Sequence, residues 1–381
     1  MKKVYLLGVL MLLTCCACSG PESPKVPEAS LFLKGGDISM LTVVEQNGGK
    51  FSDESGEDDC LKILSRHGFN MVRLRLYNDP GNPAFEPSCR MYPGIQDEAD
   101  ILRLARRVKA EGMQIELTFH YSDYWTNGAE QHIPHAWEGL SGDQLVEAVY
   151  DFTAGFLQKM AAQGTVPEFV SLGNESQAGI LYPVGSVADI PTLCKLYNAG
   201  ARAVREKAPG ARIIIHSDDA GDGRRTYDWY YGALEDGGVD FDIIGSSYYP
   251  YWTGKNAAEV VEWAKHITAL CDKDLMIMEL GYSWNPARAD GWPGQLEHNH
   301  PYPDEAMTPE GQAAFIDELF GLIKDNPTCR IIGALYWDPV FIHLPKEGIG
   351  WIPGEANVVE NSTLFDFSGR ALPALDVFGK Y

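Results

Sequence analysis

The chain has 381 residues, 45% of them hydrophobic and 22% charged. That is ordinary globular composition with ample length for a large core, in one large domain or two or three smaller ones. Its net charge of −22, from 53 acidic and 31 basic residues, makes a surface that repels nucleic acid, anionic lipid headgroups and polyanionic substrates, and suits a neutral substrate.

The first element in chain order is an export signal. MKKVYLLGVLMLLTCCACSG sets Lys2 and Lys3 before an apolar run, then small residues and cysteines. It is too short and too terminal to be a membrane span of the mature protein. The pattern resembles a bacterial lipoprotein signal over residues 1–18, with Cys18 as the lipidated residue and Cys16 as the second choice. SGPESPKVPEAS then reads as a polar, Pro-rich tether over 19–30. The expectation is an exported, lipid-anchored protein at the cell surface or in the periplasm, touching the membrane only through the lipid. The alternative is a plain cleaved signal. Cys60, Cys89, Cys194, Cys271 and Cys329 follow without any CxxC, so neither a disulfide framework nor a zinc ribbon is indicated. Buried free thiols are expected, and a Cys60–Cys89 bridge stays open.

From residue 31 onward apolar runs alternate with polar loops and stretches of helical period. The strand-like runs are LFLKGGDIS, NMVRLRLY, MQIELTFH, EFVSLG, ARIIIH, FDIIGSSYY, LMIMEL and RIIGALYW. Helical segments are EADILRLARRVKAEG, GDQLVEAVYDFTAGFLQKMAAQG, IPTLCKLYNAGARAVREKAPG, AAEVVEWAKHITALC and TPEGQAAFIDELFGLIKDN. Eight strands alternating with helices predict a parallel sheet, and this length suits one closed (β/α)₈ TIM barrel over 31–381. The rival is a doubly wound open sheet, but no GxGxxG follows the first strand.

Active-site residues of such barrels sit at the C-terminal ends of the strands. The ends here carry Asp37; Arg73 and Arg75; His120; Asn174 and Glu175; His216; Tyr248 and Tyr249; Glu279; Tyr336 and Trp337. Glu175 and Glu279 end the fourth and seventh runs, which face each other across the mouth. A carboxyl pair is what glycosidic cleavage needs, one to protonate the departing oxygen and one to attack or to activate water. Attack with retention requires the two carboxyl groups about 5–5.5 Å apart. Arg73 or Arg75 can supply a counter-charge to the nucleophile, Tyr248 can hydrogen-bond a carboxylate, and Trp337 offers a flat face to a sugar ring.

At this point the sequence resembles a known family. GNES and MELGYSW look like the acid/base and nucleophile motifs of the large clan of retaining (β/α)₈ glycosidases. The finer resemblance is to glycoside hydrolase family 53, the endo-β-1,4-galactanases. It is carried by KGGDIS, GFNMVRLRLYNDP, FHYSDYW, VSLGNESQAGILYPVG, IIIHSDDAGD, IIGSSYYPYWTG, MIMELGYSW, GALYWDPVFI and STLFDFSGRALPAL, which span residues 34–375. The resemblance implies Glu175 as acid/base and Glu279 as nucleophile. It implies Arg73, His120, Asn174, Tyr248 and Trp337 around the sugar, and Asp123, Trp125 and Trp252 in the groove. Asp37 and His216 join the substrate-contact set as strand-end residues. The family's HxSDTWADP appears here as HYSDYWTNG and its YWEP as YWDP, with Asp338. These departures spare both glutamates and fall among the subsite contacts beside them.

The implied substrate is a neutral β-1,4-galactan, cut by a monomer that needs no cofactor. The residues themselves leave another β-1,4-glycan open, such as a mannan or glucan. A non-catalytic surface glycan binder is the remaining alternative, though it would not need both glutamates. Some bacterial family members hold calcium in the loop after the seventh strand. Here that loop is NPARADGWPGQLEHNHPYPDEAM, with Asp290, Glu297 and Asn299 as oxygen donors. A polar, solvated lid without metal is the preferred reading of this loop, and calcium is the alternative. His298 and His300 lack the further ligands a zinc site requires.

Overall fold

The computed structural model describes residues 32–86, 90–218, 220–221 and 225–381. The expected export signal and tether, and Cys89, lie outside the described residues. Strands β1 (Leu33–Asp37), β2 (Met71–Leu76), β3 (Gln114–Phe119), β4 (Phe169–Leu172), β5 (Arg212–Ser217), β6 (Ile243–Tyr248), β7 (Asp274–Leu280) and β8 (Ile331–Tyr336) pair in parallel. They form a closed barrel in which β1 lies between β8 and β2. Among the described residues one helix of the outer ring follows each strand: α1 (Cys60–Arg66), α2 (Glu98–Ala110), α3 (Gly142–Ala162), α4 (Ile190–Lys207), α5 (Arg225–Asp236), α6 (Ala257–Cys271), α7 (Pro309–Asp325) and α8 (Pro373–Phe378), with short helices Leu41–Gln46 and Pro250–Thr253 besides. The architecture is a (β/α)₈ TIM barrel, and Phe32–Tyr381 is one compact unit.

Each strand falls on a run legible in the sequence, and so do α2, α3, α4, α6 and α7. α1 and α8 have seven and six residues, too few for a helical period to show. The described helix α5 holds Tyr227, Trp229, Tyr230 and Tyr231, residues whose composition suggests a strand rather than a helix. Helix starts are fixed locally. Asp97 caps α2 by accepting from Asp100 N at 2.9 Å, and Asn256 with Glu259 closes a capping box on α6.

The two-residue period of the strands divides the barrel into two cores. In β2, Val72, Leu74 and Leu76 pack outward against the helices, whereas Met71 joins a small plug inside the barrel. Arg73 and Arg75 share the inward parity of Met71. The plug comprises Leu33, Met71, Phe169, Ile214, Ile243, Met276, Met278 and Leu335. Toward the C-terminal ends of the strands the inward positions turn polar: Asp37, Arg73, Glu116, Ser171, His216 and Ser247, all buried. The floor of the barrel is thus apolar, and its C-terminal end is a desolvated polar chamber.

One irregularity places a key side chain. Leu275 and Ile277 of β7 belong to the outer core and Met276 and Met278 to the plug, so unbroken alternation would turn Glu279 outward. The pairing with β6 instead jumps from Ser246–Ile277 to Ser247–Glu279. The extra residue on β7 is a bulge, which resets the parity and aims Glu279 into the mouth.

Close strand contact makes Gly35 intolerant of a side chain, because a Cβ there would lie 1.7 Å from the carbonyl oxygen of Met71. Gly35→Ala is expected to cost about 3 kcal/mol. Gly142→Ala, where a Cβ meets nothing within 4 Å at the start of α3, is expected to leave stability within about 1 kcal/mol or raise it. Urea unfolding of the two variants checks both.

Candidate active site

The site is built where strands end in strained turns. Gly173 and Glu175, just after β4, both have left-handed backbone, with φ of 93° and 45°. For Gly173 this is free of cost, but for Glu175 it is strained and must be held by its surroundings. The turn is pinned to β5 by the Ser176 N–H, which donates to His216 O at 2.7 Å. Tyr121 after β3 and Asp338 after β8 also have positive φ.

Glu175 and Glu279 face each other across the mouth, with a carboxylate oxygen of one within 4.8 Å of a carboxylate oxygen of the other. Arg73 Nη1 donates to Glu279 Oε1 at 2.7 Å, and the Tyr249 hydroxyl donates to Oε2 at 2.7 Å. Arg73 Nη2 donates to Asn174 Oδ1 at 2.5 Å and Nε to Thr118 Oγ1 at 3.1 Å. Glu175 Oε1 accepts from Ser247 Oγ at 2.7 Å. Burial first, and the charge of Glu279 second, push the Glu175 carboxyl well above the usual carboxylate range. The two carboxyls therefore occupy different environments: Glu279 is gripped by a guanidinium and a phenol, and Glu175 lies against a serine beside the negative charge of Glu279.

A cleft of about 630 Å³ opens over the pair, lined by both glutamates, Ser247, Tyr249, Gln177, Asp218, Gln295, Trp125, Trp252, Trp337 and Trp351. Trp125 stacks on Trp351 at 4.8 Å and meets Trp337 edge-on at 5.8 Å. The Arg75 guanidinium lies over the Trp337 ring at 4.5 Å and the Trp125 ring at 5.3 Å. Trp252, 48% exposed, stands edge-on to Tyr249 at 4.7 Å. Neutral sugars present flat apolar faces and hydroxyl edges, and this wall of indoles offers matching faces.

The other predicted residues lie behind the cleft surface. Asp37 pairs with Arg75 at 3.0 Å. His120 is buried, stacks on Tyr77 at 4.2 Å and contacts Thr126 Oγ1 at 2.7 Å. Asn174 donates to Thr126 O at 3.0 Å. His216 spans Asn174 and Ser247 and does not line the cleft. Asp123 accepts from the N–H groups of Asp79 and His135 at 3.0 and 2.8 Å, so it fastens two loops of the mouth. The choice between the two arginines is settled by distance: Arg73 reaches Glu279, and Arg75 serves Asp37 and the indoles.

One expectation is corrected, and the calcium alternative finds no support. The Tyr248 hydroxyl donates to Lys255 O at 2.9 Å and its ring packs on Phe315 at 5.8 Å, on the outer side of the barrel. Tyr249 makes the carboxylate bond, as the parity of Ile243 in the plug requires. Two of the three calcium candidates are engaged elsewhere. Asp290 accepts from Arg288 Nη2 at 2.8 Å and from Trp292 N at 3.0 Å. The buried Asn299 amide is committed to both backbone groups of Ser283 at 3.0 Å. A guanidinium on Asp290, and an Asn299 amide that already bonds both backbone groups of Ser283, do not favour a calcium ion here. Glu175, His216 and Glu279 have ligand atoms close enough for a metal, but Arg73 already holds the cation position on Glu279.

Sequence reasoning missed Ser247 and Trp351. Ser247 shares the inward parity of Ile243, a signal that was available. Trp351 lies fifteen residues past the end of β8 by number (351 − 336), in a loop without periodicity. Among the described residues Cys60, Cys194, Cys271 and Cys329 are free and buried.

Comparison with known proteins agrees with this geometry. The model of glycosyl hydrolase family 53 matches residues 33–378. The chain is 29% identical to the endo-beta-1,4-galactanase of Bacillus subtilis, over 91% of this chain and 85% of that one. It is 28% identical to the arabinogalactan endo-beta-1,4-galactanase of Cellvibrio japonicus, over 99% and 97%. The solved catalytic domain of a family 53 protein from Ignisphaera aggregans superposes with a TM-score of 0.84 at 34% identity, over 91% of this chain and 95% of that one. From its first barrel strand to its last helix, this chain belongs to glycosyl hydrolase family 53.

Proposed function

We propose that the protein is an endo-acting β-1,4-galactanase that cleaves galactan with retention of configuration. The observation that carries the proposal is the facing of the two glutamates under an indole-lined cleft, with a carboxylate oxygen of one within 4.8 Å of a carboxylate oxygen of the other. Inverting enzymes separate the two groups by about 6.5–9.5 Å to admit a water between them. The galactan specificity rests on the names of the relatives, since the indole wall itself does not read an axial from an equatorial hydroxyl.

In this reading Glu279, oriented by Arg73 and Tyr249, attacks the anomeric carbon as Glu175 gives its proton to the departing oxygen. The C–O bond to the leaving chain breaks, and a glycosyl ester forms on Glu279. Glu175, now ionised, takes a proton from the incoming water. That water attacks the same carbon and releases Glu279. The chain's own residues supply every step, so the scheme calls for no cofactor. The acidic surface suits a neutral polysaccharide. The signal over residues 1–18 and the tether over 19–30 support an exported protein anchored through Cys18. No helix among the described residues is long and apolar enough to cross a membrane.

Incubation with a panel of linear polysaccharides, read by reducing-end release, tests the substrate. Internal cleavage of β-1,4-galactan is expected, and cleavage of mannan or glucan alone would overturn the assignment. The glutamates are separable by azide. Glu279→Ala with azide and an activated substrate is expected to give inverted product. Glu175→Ala with azide is expected to give retained product, while its polysaccharide rate falls by about 10²–10⁴-fold. Proton NMR of each product distinguishes these roles from their reverse. Tyr249→Phe removes a hydrogen bond to a charged group, worth about 1.5–3 kcal/mol, and is expected to lower kcat at least tenfold. Tyr248→Phe is expected to leave kcat unchanged and to cost stability of about 1 kcal/mol. Steady-state kinetics and thermal melts of the two variants check this contrast. Cys18→Ala is expected to move the protein out of the membrane fraction with its specific activity intact.

A further inference from the structure

Behind Glu175 lies a chain of three side chains that the reaction scheme leaves unused. Ser247 Oγ is 2.7 Å from Glu175 Oε1, His216 Nε2 is 2.9 Å from Ser247 Oγ, and His216 Nδ1 is 3.1 Å from Asn174 Oδ1. The backbone N–H of Glu175 also points at His216 Nδ1, at 3.4 Å. His216 is fully buried, and burial together with the nearby Arg73 charge pushes it well below the usual imidazole range. The ring is therefore neutral and carries one proton, on one nitrogen or the other.

The two tautomers have different consequences for Glu175. With the proton on Nδ1, the ring donates to Asn174 Oδ1 at 3.1 Å and Nε2 takes the Ser247 hydroxyl hydrogen. Ser247 can then only accept from Glu175, so the acid proton sits on Oε1, against the protein. The Glu175 N–H also loses its acceptor, and a partly buried backbone donor left unpaired is costly. With the proton on Nε2, the ring donates to Ser247 Oγ and Ser247 donates to Glu175 Oε1. Nδ1 then accepts the Glu175 N–H at 3.4 Å and gives up its bond to Asn174 Oδ1, which keeps the Arg73 Nη2 donor. Only this second arrangement is compatible with an ionised Glu175, because Ser247 must bring a hydrogen to the carboxylate.

We infer that Ser247, oriented by His216 as its Nε2–H tautomer, is the positioning residue for Glu175: it occupies Oε1 with a donated hydrogen bond and leaves Oε2 to carry the proton that is transferred. The inference rests on the reading of Glu175 as the acid/base. The carboxyl stays in one rotamer through both half-reactions, first giving a proton from Oε2 and then taking one back there. Other charged and titratable groups also bear on Glu175: Glu279 on β7 and Asp218 after β5 oppose its ionisation, and Arg73 on β2 favours it. The Tyr249 hydroxyl after β6 is neutral, its ionisation opposed by burial and by both glutamates. Ser247 is the neutral donor within hydrogen-bond distance of Glu175, so its effect is separable from theirs.

The test is the pH dependence of kcat/KM for Ser247→Ala, Ser247→Thr and Glu175→Ala, on galactan and on an aryl galacto-oligosaccharide whose phenol leaves without protonation. Activity on galactan requires Glu175 protonated, so the rate falls as pH rises through its pKa. Ser247→Ala removes a donor that favours the ionised form. Its alkaline limb is expected to move up by about one pH unit. Its galactan rate at the optimum is expected to fall about tenfold, while glycosylation by the aryl substrate is kept. Ser247→Thr, which keeps the hydroxyl, is expected to restore the parental limb. An unmoved limb in Ser247→Ala, or an equal loss on both substrates, overturns the positioning role. The underlying assignment is checked separately: if the alkaline limb on galactan persists in the residual activity of Glu175→Ala, Glu175 is not the titrating acid. If that limb vanishes and the serine variant does not shift, the positioning role alone has failed.

Discussion

The buried guanidinium of Arg73 is the group around which the site is organised. It is fully buried, a position that a cation tolerates only when its charge and its donors are matched. Its three nitrogens reach Glu279, Asn174 and Thr118, so one side chain sets the nucleophile, the residue before the acid and the floor of the chamber. Thr118 in turn donates to Glu116 Oε2 at 2.8 Å. Burial pushes Glu116 up to about 8 and also raises Asp338, so both resist adding negative charge to the chamber. Removing one member of such a network leaves an uncompensated charge, which typically costs about 3–5 kcal/mol. The precision of the site and its fragility have the same origin.

The aromatic wall depends on the same chamber. Arg75 lies beneath Trp125 and Trp337 and is tied by Asp37 at 3.0 Å. Asp338 accepts from Trp351 Nε1 at 2.7 Å, which fastens the loop after β8 to the barrel and holds Trp351 flat against Trp125. A shorter acid stands here than the glutamate of the family's YWEP. It stops 3.8 Å from Arg75 Nη2, so its closest polar contact is the indole rather than the guanidinium.

Most of the fold was legible because the barrel writes it in two periods. Apolar runs of four to seven residues and helical stretches alternate, and each of the eight barrel strands was found where its run predicted. The glutamates were legible because catalytic groups of such barrels sit at strand ends. What was not legible depends on register. Choosing Tyr248 over Tyr249 ignored the in-out parity that Ile243 fixes. A strict parity count would in turn have rejected Glu279, because the bulge in β7 is invisible in LMIMEL. His216 reads as a substrate contact from its place at a strand end, yet packing puts it one layer deeper, behind Ser247. The loop after β7 is rich in oxygen donors, but their commitments to Arg288, Trp292 and Ser283 emerge only in three dimensions.

The central claim is that Glu279, held by Arg73, attacks the sugar directly and Glu175 serves as acid and then base. The measurement that bears on it most directly is proton NMR of the wild-type reaction on a galacto-oligosaccharide, followed before the reducing ends mutarotate. The account predicts that the β-anomer appears first and the α-anomer grows in later. An α-anomer formed first would mean that water, not Glu279, attacks the anomeric carbon, and the account of the site would fail.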